Sequence, residues 1–253
     1  MLQIQIISDL HLEFMKKMPK FLKYFKKTAD YLFLAGDIGY PQYPHYNRGI
    51  FYQFICWCTD NYKKVFFVIG NHEAYYSDLS LIKESIRQIA KEKENFVFLE
   101  NGVISNCEEY KVIGCTLWSD IEAEAYYSMN DRNNIKINGQ NLERIDLIKM
   151  HKEDKLWIEQ NIDSNTIVMT HHLPSYDLIH KDYRTEEYKK YESGYASNLD
   201  DIIYSARLWI YGHTHIASDK YFYNITRCIC NPHGYHNDDD KYSGFTTNVF
   251  EIE

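Results

Sequence analysis

Five short apolar segments, spread over two hundred residues, each run directly into residues from the set Asp, Asn and His. The segments are residues 3–7, 31–35, 65–69, 166–169 and 208–211. Their length and hydrophobicity predict strands, and the amphipathic helical patterns between them predict an α/β fold. In open α/β sheets, ligands bind at the carboxyl ends of the strands. We therefore expect the five loops to meet at one edge of a sheet.

The polar residues of these loops form short motifs. In chain order they are Asp9-x-His11, Gly36-Asp37, Gly70-Asn71-His72-Glu73, His171-His172 and Gly212-His213-Thr214-His215. A single Asp-x-His is expected about 0.8 times by chance in such a chain and means little, whereas Gly-Asn-His-Glu is expected only roughly 0.002 times. Taken singly, each loop also has an ordinary structural interpretation, such as a helix cap or a turn. All five in this order indicate a functional site.

The rest of the chain alternates further helices and strands. Helical periodicity predicts helices over 51–62, 79–93 and 142–161, and an antiparallel stretch is predicted over 96–99, 103–105 and 110–117. Residues 120–141 and 173–200 are polar and are predicted to be long excursions that shape a pocket. The tail, 219–251, is predicted to be a run of antiparallel strands.

Composition excludes several classes of protein. The 253 residues predict one domain over 1–253, and a net charge of −8 gives no support for binding duplex nucleic acid. No apolar run approaches the length of a membrane span, and the first residues form a strand pattern rather than a secretory signal. The six cysteines lack the spacing of zinc or redox motifs, so we expect reduced thiols and a cytoplasmic protein.

The donor types in the five loops suit a pair of divalent cations. Two cations about 3.5–4 Å apart need a bridging anion, and a carboxylate can supply it. Imidazole, carboxylate and amide ligands together suit borderline cations, of which we expect Mn, with Fe, Zn, Ni and Co as alternatives. Glycines 36, 70 and 212 allow the backbone to turn where a Cβ would collide.

This set of motifs resembles that of the calcineurin-like metallophosphoesterase superfamily: D-x-H, GD, GNH-[DE], H and GH-x-H, matched from residue 9 to residue 215. The resemblance implies a four-layer α/β/β/α sandwich of two mixed sheets flanked by helices. It implies that Asp9, His11 and His215 hold one metal and that Asp37 bridges. Asn71, His171 and His213 would hold the second metal.

The resemblance also implies a mechanism for the hydrolysis of phosphate mono- or diesters. A hydroxide bridging the metals would attack phosphorus in line, and His72 would be the catalytic histidine that protonates the leaving oxygen or binds the phosphate. Glu73 would orient a neighbouring group. The motif register favours His171 over the adjacent His172 as the ligand, which leaves His172 and Asn198 as weaker candidates for a supporting or substrate role.

One departure from the family pattern is visible. Many members carry a second acid three residues after the bridging one, but Tyr40 stands at that position here. Four aromatic residues near the loops are candidates for stacking on a substrate, although an ordinary place in the core or a lid is favoured for them: Tyr75, Tyr76, Trp118 and Tyr176.

The substrate is therefore expected to be a phosphate ester, with nucleotides among the candidates, and the oligomeric state is open. The alternative function is a non-catalytic scaffold or binding subunit with the same fold. Scaffolds of this kind typically lose the catalytic histidine or metal residues, and here all eight positions are filled.

Overall fold

The computed structural model describes residues 1–15, 17–18, 22, 27–42, 44–235 and 244–252. Its strands are β1 (Leu2–Ile7), β2 (Tyr31–Ala35), β3 (Lys64–Val68), β4 (Ser77–Asp78), β5 (Phe96–Phe98), β6 (Ser105–Cys107), β7 (Tyr110–Cys115), β8 (Ile135–Ile137), β9 (Gln140–Asn141), β10 (Thr166–Thr170), β11 (Leu208–Tyr211), β12 (Ser218–Phe222), β13 (Thr226–Cys230) and β14 (Phe250–Ile252). The helices are α1 (Gly49–Asn61), α2 (Leu79–Glu92), α3 (Ala123–Ser128), α4 (Asp131–Asn134), α5 (Arg144–Asn161), α6 (Glu192–Tyr195) and α7 (Asp200–Ile203).

Two mixed sheets carry the predicted strands. The first has the order β14-β1-β2-β3-β5 and is parallel except for β14. The second has the order β12-β13-β11-β10-β7-β6, with four parallel strands between two antiparallel edges. The strands β2, β10 and β11 lie in the interior of the sheets and are buried at every position, while β1 and β3 are buried except at Gln3 and Lys64.

The alternation of side chains along β2 shows how the layers are built. Phe33 and Ala35 lie in the core between the two sheets, while Leu32 and Leu34 face the opposite way, into the core that includes α1 and α2. The outer face of the second sheet packs on Ile158 of α5 and on the segment after β10. The fold is therefore the α/β/β/α sandwich that the resemblance implied.

Two of the predicted strand pairings are corrected. β5 is not part of an antiparallel stretch with β6 and β7; it pairs in parallel with β3 in the first sheet, because α2 forms the crossover that returns the chain to that edge. The tail is not one antiparallel run either. β12 and β13 form a hairpin, but β13 is parallel to β11, and β14 joins the first sheet beside β1. Residues 236–243 of the predicted run lie outside the described residues.

The two polar excursions contain more structure than their composition indicates. Residues 120–141 form α3, α4 and the strands β8 and β9, which complete a three-stranded sheet with β4. Residues 173–200 form short helical turns. Over the described part of the chain, no helix combines the length and the hydrophobicity that a bilayer crossing requires.

Candidate metal centre

The loop after β1 is bound along its length to the loop after β2. The backbone N–H groups of Asp9, His11 and Leu12 donate to the carbonyl oxygens of Gly36, Asp37 and Ile38, at 2.9–3.0 Å. The loop after β11 joins them, since the His213 N–H donates to both carboxylate oxygens of Asp9, at 2.9 and 3.1 Å. The carboxyl ends of strands from both sheets therefore meet in one place.

One group of donors consists of Asp9, His11 and His215, whose ligand atoms all lie within 4.8 Å of one another. The Nε2 atoms of the two histidines are 3.0 Å apart, and His215 Nε2 is 3.5 Å from Asp9 Oδ1. A second group contains Asp37, His171 and His213, with His171 Nε2 3.2 Å from His213 Nδ1 and 3.4 Å from Asp37 Oδ2.

Asp37 lies between these groups. Its carboxylate lies within 4.8 Å of the ring nitrogens of His11 and His72 as well as those of the second group. Burial opposes its ionisation, but the neighbouring histidines, His171 first, outweigh burial and hold the pKa of Asp37 well below its usual range. An ionised carboxylate at this position suits a bridge between two cations.

The ring of His171 is fixed by its other nitrogen. Nδ1 donates to the Ala35 carbonyl oxygen at 2.9 Å, which directs Nε2 toward the Oδ1 of Asn71, 3.1 Å away. Burial disfavours the charged ring, but Asp37 outweighs it and raises the pKa of His171 to about 10. The adjacent His172 instead contacts the Thr116 carbonyl oxygen, and burial together with the charge of His171 lowers its pKa to about 3.

Asn71 is oriented by Asp131, a residue that the sequence did not single out. The amide nitrogen of Asn71 donates to Asp131 Oδ1 at 2.9 Å, and the hydroxyl of Tyr75 donates to the same oxygen at 2.7 Å. Because the amide nitrogen points to Asp131, the amide oxygen points to His171 and the second group. Asp131 comes from the 120–141 excursion, where one acid among many polar residues gives no signal.

Glu73 holds two of the loops together. Its carboxylate is fully buried and accepts four backbone N–H groups: those of Asp37, Ile38, Gly39 and Gly70, at 2.6–3.2 Å. Burial and the charge of Asp37 raise the pKa of Glu73 to about 8, while the amide donors favour the ionised form. The sequence predicted an orienting role for Glu73. In the structure, its carboxylate binds the backbone of the loop after β2, which we call the bridging loop because it carries Asp37.

His72 lies at the wall of the site. Its backbone N–H donates to Asp37 Oδ1 at 2.8 Å, and its ring stacks on Tyr75 with centroids 4.2 Å apart. Its Nδ1 is 2.9 Å from Glu13 Oε1, a second residue that the sequence did not identify. Burial disfavours the imidazolium, but Asp37 and Glu13 outweigh it and raise the pKa of His72 to about 9.

Most of the predicted ligands have a left-handed backbone conformation, which is unfavourable for residues other than glycine. Five of them have φ between 51° and 67°: Asp9, His11, Asp37, His213 and His215. Each such residue costs about 1–3 kcal/mol unless its surroundings hold it in place. Four of these N–H groups, those of Asp9, His11, Asp37 and His213, take part in the interloop hydrogen bonds given above. Strain of this kind is typical of sites that are built for function rather than for stability.

The donor set fits a pair of divalent cations. Two pairs of imidazole nitrogens face each other at 3.0 and 3.2 Å, each pair beside a buried carboxylate, and a cation would satisfy their lone pairs together. The glycines agree with close packing of the loops. A Cβ on Gly70 would overlap Asp37 Oδ1, and a Cβ on Gly212 would lie 3.0 Å from Asp9 Oδ2.

A cavity of about 370 Å³ opens over the centre. Both excursions contribute to it, as the sequence predicted: residues 128–130 come from the first and Leu173, Ile179, Tyr183, Tyr188, Glu192 and Tyr195 from the second. Of the aromatic candidates, Tyr75 lines the cavity. Tyr76 is exposed, Trp118 is buried in the core, and Tyr176 packs at the edge of the core around α5. Asn198 is exposed and its Oδ1 accepts the Asp200 N–H, outside the described lining of the cavity.

The chain is similar to known proteins in sequence and in fold. The family model described as calcineurin-like phosphoesterase matches residues 2–217. An uncharacterized protein of Acanthamoeba polyphaga mimivirus is 28% identical over 277 aligned positions, which cover 96% of this chain and 94% of that protein. The crystal structure of phosphopantetheinyl hydrolase from Mycobacterium tuberculosis superimposes with a TM-score of 0.65 at 15% identity, over 92% of this chain and 89% of the other. A dimetal phosphatase from Danio rerio gives a TM-score of 0.48 at 13% identity, over 90% and 86% of the two chains.

Proposed function

The chain belongs to the calcineurin-like phosphoesterase family, and from this premise we propose that it hydrolyses phosphate esters with two divalent cations bound at the centre described above. The observation that carries the proposal is the position of Asp37, which lies close to two groups of histidines contributed by three other loops, those after β1, β10 and β11. In the proposed assignment, Asp9, His11 and His215 hold one cation, and Asn71, His171 and His213 hold the other.

The bound cations would offset charge on the phosphate oxygens and lower the pKa of a water molecule enough to make a nucleophile near neutral pH. The chain's own residues set the geometry around the phosphate. Asp37 fixes the spacing of the two groups, and its own position is fixed by Glu73 through the backbone of the same loop. The buried, water-poor surroundings strengthen each of these electrostatic interactions.

His72 is the proposed general acid. Its side chain lines the cavity, and its Nδ1 contacts Glu13, which leaves Nε2 as the ring nitrogen for the leaving oxygen of the ester. An alkoxide or phenoxide needs a proton to leave, so a positioned imidazolium accelerates this step by about 10²–10⁴-fold. The filled positions and the assembled centre support an enzyme rather than the scaffold alternative.

We propose Mn as the metal, with Fe, Zn, Ni and Co as alternatives, since imidazole and carboxylate donors suit all of them. Nucleotides are among the proposed substrates. All six cysteines are free, which supports a reducing, cytoplasmic location.

Hydrolysis of p-nitrophenyl phosphate and bis-p-nitrophenyl phosphate, with each of these metals added to chelator-treated protein, tests the proposal. We expect metal-dependent activity that Asp37→Asn abolishes and that Glu186→Gln, a control on an exposed side chain, leaves unchanged. Activity on the diester alone would identify a phosphodiesterase, and activity on the monoester alone a phosphomonoesterase. Inertness toward both esters with every metal would contradict the proposal and favour the scaffold.

A further inference from the structure

Besides the buried Tyr75, four exposed tyrosine residues line the cavity over the centre. Tyr183, Tyr188, Tyr195 and Tyr235 all line it, and each is between 39% and 46% exposed. Large rings left exposed around one concave site offer apolar faces that a ligand would cover.

The rings lie on both sides of the candidate ligands. Tyr235 is 4.4 Å from the ring of His11 and 4.6 Å from that of His215, between centroids, and so borders the first group. Tyr195 is 5.3 Å from His213 and borders the second group. A phosphate held at the centre would therefore place its organic substituent among the tyrosines.

The two excursions hold this wall in place. The Ser193 hydroxyl accepts the Glu122 N–H at 3.0 Å, and a Cβ on Gly194 would lie 3.0 Å from the sulfur of Met129. Tyr195 therefore comes from a segment packed directly on the first excursion. This packing preorganises the segment that carries Tyr195, so a ligand that stacks on Tyr195 loses less free energy in ordering it.

The acidic residue Glu192 also lines the cavity. A substrate with additional phosphates would bring further negative charge toward this acid. We propose that the substrate is a phosphate ester with a single phosphate group whose organic part is aromatic and uncharged, as in a nucleoside, and that the ring stacks on Tyr195 or its neighbours. This inference rests on the proposed hydrolysis of phosphate esters.

Matched substrates isolate the contribution of the ring. Adenosine 5′-monophosphate and ribose 5-phosphate share their leaving oxygen and differ by the base alone, so the ratio of their kcat/KM values measures base binding. If the enzyme takes only diesters, the p-nitrophenyl esters of thymidine 5′-monophosphate and of base-free 2-deoxyribose 5-phosphate form the equivalent pair. We expect a preference of about tenfold or more for the member with the base, the size of one stacking contact. Adenosine 5′-diphosphate should be a poorer substrate than the monophosphate.

The Tyr195→Leu variant should remove most of this preference, because it should lower kcat/KM for the substrate with the base far more than for its base-free partner. Tyr221→Leu is the matched control, because Tyr221 is 59% exposed on β12, outside the described lining of the cavity. Equal kcat/KM values for the two substrates of a pair, or a Tyr195→Leu variant that lowers both equally, would overturn the inference while leaving the hydrolase proposal intact.

A binding measurement separates the two proposals further. In metal-free protein, saturation-transfer NMR should detect adenosine but not ribose, and Tyr195→Leu should weaken the adenosine signal. If no phosphate ester is hydrolysed but adenosine binds in this way, the hydrolase proposal fails and the aromatic site remains. If adenosine does not bind, the inference is wrong.

A second, independent observation concerns Glu13. Its side chain is 2% exposed, and its Oε1 is 3.0 Å from His11 Nδ1 and 2.9 Å from His72 Nδ1. One carboxylate oxygen therefore faces a ring from the proposed first metal group and the ring of the proposed acid. In the family pattern an acid follows the bridging residue by three positions, and this chain has Tyr40 there.

We infer that Glu13 is a positioning residue for His72. Its carboxylate keeps the proton of His72 on Nδ1 in the neutral ring and points Nε2 at the substrate. Carboxylates that accept a hydrogen bond from the far ring nitrogen orient catalytic and ligating histidines in the same way. The same contact keeps the lone pair of His11 Nε2 directed at the first group. A purely structural role would affect stability without changing how the rate depends on the leaving group.

Leaving-group dependence tests this role. Glu13→Ala should lower turnover of phenyl phosphate by about tenfold or more while changing that of 2,4-dinitrophenyl phosphate much less, because a good leaving group needs no proton. Glu13→Asp should recover part of the loss. In metal-free protein, the imidazole nitrogen shifts of His72 should show an altered tautomer ratio in Glu13→Ala. Equal losses on both esters, with an unchanged tautomer ratio, would overturn the positioning role.

Discussion

Glu73→Gln tests how the bridging loop is held. Oε2 of Glu73 accepts the N–H groups of Asp37 and Gly70, and Oε1 accepts those of Ile38 and Gly39. A glutamine replaces one of these oxygens with an NH2 group, which cannot accept a hydrogen bond. Two buried donors then lose their partner, each at a cost of about 1–3 kcal/mol, so the free energy of unfolding should fall by about 2–6 kcal/mol. A typical domain has a free energy of unfolding of about 5–15 kcal/mol, so this loss would be a large part of the total.

Urea denaturation of the metal-free proteins measures this loss. Glu186→Gln is the control, since its side chain is 92% exposed and surface changes usually stay within about 0.5 kcal/mol. The slope of the unfolding transition should be unchanged, so the loss appears as a lower midpoint. Metal retention should also fall, because Asp37 belongs to the loosened loop. A Glu73→Gln variant as stable as the control would refute the reasoning.

Three further predictions concern the same region and its surroundings. Gly70→Ala should lose metal, measured by elemental analysis, because a Cβ there would overlap Asp37 Oδ1; full metal content would contradict this. His72→Ala should cut turnover of esters with poor leaving groups by about 10²-fold or more while keeping its metal, and loss of metal instead would mean that His72 is a ligand. Burial lowers the pKa of His151, so the unfolded chain takes up this proton at a higher pH than the folded chain. The stability that neutral His151 contributes is then complete above its ordinary pKa of 6.5 and declines at lower pH. His151→Gln should therefore reduce the slope of the free energy of unfolding against pH below pH 6.5 by up to about 1.4 kcal/mol per pH unit. The same slope in the variant and the wild type would contradict this prediction.

Strands buried on both faces were predictable from the sequence, and pairings at the sheet edges were not. The predicted strands over 31–35 and 208–211 match β2 and β11, because short, continuous apolar runs bounded by polar loops are typical of strands buried on both faces. The partner of β5 depends on which edge of β3 the helix α2 leads to, and three residues carry no pattern that specifies it. The position of β14 likewise depends on a contact with β1, nearly 250 residues away in the chain.

The residues of the candidate centre were predictable where the chemistry requires a particular side chain in a particular loop. The seven proposed ligands and His72 all lie at the centre, and their roles remain proposals. Glu13 and Asp131 were missed because an isolated acid has no local signature, and the residues that they orient, His72 and Asn71, are distant from them in sequence. The φ values of the ligand residues were equally invisible, since Asp and His carry no bias strong enough to predict a left-handed backbone.

Anomalous scattering from crystals of the metal-loaded protein is the most direct test of the central claim. We predict two peaks in the anomalous difference map, one beside Asp9, His11 and His215 and one beside Asn71, His171 and His213, with the Asp37 carboxylate between them. A single peak, peaks elsewhere in the molecule, or protein that takes up no metal under any supplementation would contradict the account.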